Sequence, residues 1–313
     1  MIPFIVPLKF ATKFAAGSIV RHGALLKDSG SGQIVGHLQE TSLLQSALGG
    51  ANPFSLSSWV GVGQNFVTIK KLNEVQSQLS FMQGLQYLNL AGTVVSVGVN
   101  VASAIMILKR VKRIEGKVAE INSKLDVLMN EKIHSLLIDL ETQAERIEEL
   151  INSKNADDRS KSSEDKLHHS FNHFHSKADE LLRKNHQQLD LNLLMQAIVG
   201  MAISSSLSTQ NLIWFNDYEV AYKRAALQFE KFHKLNQILP CDRLITLTKD
   251  EETARQFSGQ ISDMRRRLSS MPQIITHLNK AGVSGSDYIT TAQENNKEHF
   301  LVFPATPRLS LEG

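Results

Sequence analysis

Leu90-Ala-Gly-Thr-Val-Val-Ser-Val-Gly-Val-Asn-Val-Ala-Ser-Ala-Ile-Met-Ile-Leu108 is a run of nineteen residues without a charge. As a helix it would extend roughly 28 Å, close to the hydrocarbon thickness of a bilayer. Its polar members, Thr93, Ser96, Asn100 and Ser103, are mild, and Gly98 and Ala102 have the small-xxx-small spacing at which helices approach closely. Lys109, Arg110, Lys112 and Arg113 follow at once, as a basic flank does on the cytoplasmic side of a span. Val95, Val97, Val99 and Val101 alternate with Ser96, Gly98 and Asn100, which is also the period of a strand. The flanking patterns are helical, so a helix is expected. Val95, Val97, Gly98, Val99, Val101, Ala102, Ile105 and Leu108 then form a segment with three possible settings: a bundle core, a bilayer or an oligomer interface.

Working outward, apolar residues recur three and four apart upstream, at Phe66, Ile69, Leu72, Val75, Leu79 and Met82. Downstream, Val111, Ile114, Val118, Ile121, Leu125, Leu128, Leu136, Leu140, Ile147 and Ile151 mark a stripe from Lys109 to about Asn152. One helix of that length would reach roughly 60 Å and resemble a coiled-coil arm. The polar stretch 152–163 reads as a turn, and a serine N-cap near Ser163 as the start of a returning helix. That helix leads through Leu181, Leu189 and Leu193 into a second uncharged run, 191–216. Ser204, Ser205, Ser206, Ser208, Thr209, Gln210 and Asn211 crowd its second half, and in lipid they would have to face protein or water. A further helix is expected over 218–235, with Val220, Ala221, Leu227 and Phe232 inward, ended by Pro240.

The ends of the chain differ. Ser18–Lys27 and Gln33–Gln39 flank the Gly/Ser turn Asp28–Gly32, a hairpin signal. Gly30, Gly32 and Gly36 miss the dinucleotide spacing. Thr248-Lys-Asp-Glu251 reads as a capping box, and Pro272 as a kink or a second start, with Gly282 closing the last helix. Phe300–Phe303 reads as a strand that pairs with the N-terminal hairpin. Lys9 and Lys13 interrupt the apolar N-terminus, so no leader is expected.

Composition narrows the class. Hydrophobic residues make up 42% of 313 and charged residues 21%, which excludes wholesale disorder. A net charge of +3 is too even for nucleic-acid binding, and the triplet Arg265–Arg267 lacks aromatic interleaving. The single Cys241 excludes an internal disulfide and a cysteine-based zinc site, and no nucleophile elbow occurs. Glu141, Glu145, Glu148 and Glu149 read as a solvated face. His168, His169, His173 and His175 form a cluster. His169 and His173 share a helix face, but without a glutamate between them or an assignable third ligand. The cluster therefore reads as a solvated or pH-responsive surface, and neither a metal nor a cofactor is assigned.

The sequence thus predicts a mainly α protein. A β-hairpin cap (1–50) precedes a helical bundle with a long coiled-coil-like hairpin (51–240) and a small C-terminal α/β region (241–313). This layout is similar in outline to α-helical pore-forming toxins over about residues 60–235, a likeness of architecture without a shared motif. That likeness implies apolar elements hidden in a bundle that emerge on membrane contact. The expectation is a non-enzymatic, membrane-active or self-assembling effector. It would be homo-oligomeric, cytoplasmic with association at the inner face of the membrane as an option, and suited to a bacterial toxin or cell-suicide defence. The alternative is a soluble oligomeric scaffold or regulatory partner with a permanently buried apolar helix.

Overall fold

The computed structural model describes residues 8–40, 84–92, 95, 101–115, 124–151, 157–183, 189–248, 250–294 and 300–304. Helices hold 82% of the described residues, so the mainly α class stands. In chain order the elements are α1 (Leu8–Ala15), β1 (Ile19–His22), β2 (Leu25–Asp28), β3 (Ile34–Glu40), a helical segment over 84–92, α2 (Val101–Glu115), α3 (Lys124–Ile151), α4 (Asp157–Leu182), α5 (Leu191–Trp214), α6 (Tyr218–Ile238), α7 (Cys241–Thr248), α8 (Glu251–Lys280), α9 (Gly285–Glu294) and β4 (Phe300–Pro304).

The sheet is antiparallel in the order β1-β2-β3-β4, with the tail strand registering Gly36 against Pro304 and Glu40 against Phe300. The run Ser18–Lys27, expected as one strand, holds a hairpin of its own. His22 pairs with Leu25 around Gly23, whose φ is +59°. A glycine at the first central position suits a two-residue turn of type II′. A Cβ on Gly23 would also lie 2.3 Å from the Arg266 carbonyl oxygen of α8. The next turn is closed by Asp28, whose Oδ1 accepts the backbone N–H groups of Gly30 (3.1 Å) and Ser31 (2.8 Å). These bonds and the Ser31 hydroxyl hold the Asp28 carboxyl below its ordinary value.

The nineteen-residue run is not one helix. Helix covers 84–92, Val95 lies in a bend with its N–H on the Gly92 carbonyl at 3.3 Å, and α2 covers Val101–Glu115. Val95, Val101, Ile105 and Leu108 are buried and Ala102 partly so, while Val97, Gly98 and Val99 lie outside the described residues. Of the helix expected over 60–86, residues 60–83 lie outside them too and 84–86 are helical.

Nor is 109–152 one arm. α2 packs back on α3, with Lys109 within 3.7 Å of Glu141 and 3.5 Å of Glu145 and Lys112 ion-paired to Glu141. Gly116 falls in the sequence between the two helices, where a glycine weakens helix. The buried stripe of α3 is Met129, Ile133, Leu137, Leu140, Ala144 and Ile147. α4 starts at Asp157, six residues before the expected serine cap.

α8 runs unbroken through Pro272. Its N-cap is Asp250, which accepts the Thr253 N–H at 2.9 Å, rather than Thr248. At its other end the Gly282 N–H reaches Asn279 and the Val283 N–H reaches Leu278, a Schellman closure with Gly282 at φ +62°. Phe257, Ile261, Met264 and Leu268 of α8 share one core with α2 to α6. A second cluster joins Leu25 of the sheet to Ile213, Ile274 and Ile289.

Candidate functional site

α5 lies at the centre of this core. Asp190 starts it by accepting the N–H groups of Asn192 (2.8 Å) and Leu193 (3.2 Å). Asn216, at φ +59°, ends it: its N–H bonds the Ile213 carbonyl and that of Asp217 the Leu212 carbonyl. Every residue from Leu193 to Ile213 is buried. Among the described residues α5 is the one helix long and apolar enough to cross a membrane. The same composition suits the centre of a soluble bundle.

Its first half is packed by apolar contact. The Phe174 ring of α4 lies so close over Gly200 that a Cβ there would be 2.5 Å from Cε1. A cavity of about 10 Å³, room for roughly one water, is lined by Gly84, Tyr87, Asn192 and Gln196 among others.

The second half is polar and satisfied from both sides. The Ser204 hydroxyl donates back to the Gly200 carbonyl at 2.6 Å. Ser205 (2.8 Å) and Thr209 (3.4 Å) both donate to Oε1 of Gln228 on α6. Ser208 donates to Oε1 of Glu164 on α4 at 3.2 Å. Gln210 donates to Ser206 at 3.2 Å. Arg224 of α6 then closes the ring, giving Nε to Glu164 Oε1 at 3.0 Å and Nη2 to Oε2 at 3.4 Å. Glu164 is only 6% exposed, a burial a carboxylate tolerates when it is paired. Nε2 of Gln228 is buried without a partner, at a cost of about 1–3 kcal/mol.

The sequence reading missed Glu164, Arg224 and Gln228. A signal for Gln228 existed: Ala221, Ala225, Gln228, Phe232 and Leu235 follow one three-and-four stripe, and all are buried. Of the positions expected inward, Ala221 and Phe232 are buried and Val220 is partly so, whereas Leu227 is exposed.

Two residues of the basic flank are ion-paired. Lys109 and Lys112 are held by α3, and Glu141, expected in solvent, is buried against them. Arg110 is partly buried, and the Arg113 side chain lies outside the described ones. Of the arginine triplet, Arg267 is 1% exposed and donates to Asp263 at 2.8 Å, so the three form no common patch. Cys241 is free and partly buried against the main core.

The four histidines divide. His168 and His175 turn toward α6, where Lys231 bonds Asn172 at 2.5 Å and Asn172 meets His168 at 3.0 Å. Burial, with Arg224 and Lys231 adding to it, lowers His168 to about 4. Burial also lowers His175 and, less enclosed, His173. His169 and His173 stand together on the exposed side, their ring centroids 4.0 Å apart.

Comparison with protein families, with characterised proteins and with solved structures gives no match for this chain.

Proposed function

We propose that this protein is a membrane-active helical effector whose inserting element is α5, not the 90–108 run. The observation that carries the reading is a chargeless helix of span length, buried from Leu193 to Ile213 and held by a polar ring that its neighbours supply. At 1.5 Å per residue its 24 residues extend roughly 36 Å, enough for the hydrocarbon layer. Ser204 to Asn211 cannot face lipid alone, because unpaired polar groups there cost several kcal/mol. Insertion therefore goes with self-assembly: copies of α5 exchange the partners Glu164 and Gln228 for one another or for a water-filled lumen.

Trp214, at the end of α5, is a native probe once Trp59 is replaced by Phe. The full-length Trp59→Phe chain is mixed with vesicles of phosphatidylglycerol and phosphatidylethanolamine that carry bromine on the acyl chains. The expected result is quenching of Trp214 together with release of an entrapped dye and an increase in mass to an oligomer. Unchanged Trp214 emission with the protein left in the supernatant would overturn the proposal. It would favour the soluble scaffold, a reading that the paired hydroxyls of α5 also suit.

A further inference from the structure

We infer that His169 and His173 form a two-imidazole chelate for a divalent transition-metal ion on the outer face of α4. The two are one helical turn apart, the spacing at which side chains stand one above the other. Their centroids are 4.0 Å apart with the planes tilted by 47°. A metal held by two imidazole nitrogens at about 2.0–2.1 Å, at tetrahedral or square-planar angles, needs those nitrogens about 3 Å apart. The ring torsion of histidine is soft, so a small rotation of each ring aims one nitrogen at a shared point. Both side chains are exposed, which leaves the remaining coordination positions open to water or to a ligand from a partner.

The neighbouring groups suit a cation only in part. Asp165 lies one turn before His169 and is exposed, and Lys177 lies one turn beyond His173. Among the described residues no group of three or more ligating side chains is pre-formed, so this is a two-ligand site rather than a closed structural one. Imidazole donors favour copper(II), then nickel(II) or zinc(II), over calcium or magnesium.

The test uses the untagged full-length chain, titrated with copper(II) and separately with zinc(II) against a chromophoric chelator. Magnesium serves as the negative control. One ion per chain is expected, with copper bound more tightly than zinc. His169→Ala and His173→Ala should each weaken binding at least about tenfold, because a chelate becomes a single imidazole. Both positions are exposed on a helix where alanine is favoured, so the variants fold. His22→Ala, on exposed β1, should leave binding unchanged. Spin resonance of the copper form should show two nitrogen donors, falling to one in either variant. Equal affinity in the double variant His169→Ala/His173→Ala, or no one-to-one binding in the native chain, overturns the assignment.

Discussion

Arg224 grips Glu164 through two nitrogens, at 3.0 and 3.4 Å, and the same carboxylate accepts the Ser208 hydroxyl from the central helix. Three helices thus meet at one carboxylate that is almost out of water. Its arginine is 24% exposed at the side chain, so the pair sits at the rim of the core. Replacing Arg224 with Ala leaves a charged Glu164 facing apolar surroundings and one hydroxyl. The expected loss is about 2–3 kcal/mol, below the figure for a fully buried pair because water reaches the arginine side. Glu164→Gln keeps an acceptor for Ser208 and should cost less. Urea unfolding of both single variants and the double gives the coupling. A loss under about 0.5 kcal/mol for Arg224→Ala would reduce the pair to an ordinary surface ion pair.

Close packing around the central helix makes a graded test from one substitution. At Gly285 a Cβ would lie 1.7 Å from the Ile213 carbonyl oxygen, which is backbone and fixed by helix geometry. At Gly200 it would meet the Phe174 ring at 2.5 to 2.6 Å, and a ring can shift a little. At Gly92 the nearest atom is 3.4 Å away on the flexible Met264 side chain. Alanine is favoured over glycine in helix by up to about 1 kcal/mol, and this gain opposes the clash. Gly285→Ala should therefore be the most damaging, at about 3 kcal/mol or more. Gly200→Ala should cost about 1–2, and Gly92→Ala should be neutral or stabilising. Phe174→Leu should recover part of the Gly200→Ala loss. Equal melting temperatures for the three glycine variants would contradict this packing.

How far these contacts could be read in advance depends on their reach along the chain. The helical class, the chargeless run 191–216 and the turn at Asp28 are local patterns, and local spacing carries them. The break at Val95 is not legible, because alternating valines suit a helix core and a strand equally. Which partner satisfies Ser208 is a contact 44 residues distant, and no spacing rule reaches that far. The pairing of Lys112 with Glu141 is of the same kind, at 29 residues. Burial of Arg267 was within reach: Asp263 precedes it by four, the helical ion-pair spacing.

Alkaline stability should follow two buried phenols. Tyr218 donates to the Val283 carbonyl at 2.6 Å, and burial raises its ionisation above the ordinary value of 10.0. Tyr288, also buried, is raised further for the same reason. Each holds its proton more tightly in the fold than in the unfolded chain. Stability is therefore complete below about pH 10 and falls above it, by at most about 1.4 kcal/mol per pH unit for each such phenol. Unfolding free energies from pH 8 to 11.5 should show that decline. Tyr288→Phe should flatten the slope, whatever its effect at pH 8. An unchanged slope would mean the phenol reaches water.

The polar ring separates stability from action. Gln228 accepts Ser205 and Thr209 on one oxygen and buries an amide nitrogen without a partner. Replacing one member strands the others: Gln228→Met removes the acceptor shared by both hydroxyls. Those hydroxyls can turn back to carbonyls in their own helix, which limits the loss to about 1 kcal/mol. Replacing all three, Ser205→Ala with Thr209→Val and Gln228→Met, removes donors, acceptor and orphan together, and such exchanges are near neutral or stabilising. If the ring served only to hold the core, the triple variant would lose nothing. Under the proposed membrane action it loses the polar groups that line α5 in the assembled state, so dye release should fall while the melting temperature holds or rises. Dye release that persists at the native level in this stable variant would remove Ser205 and Thr209 from the assembled interface.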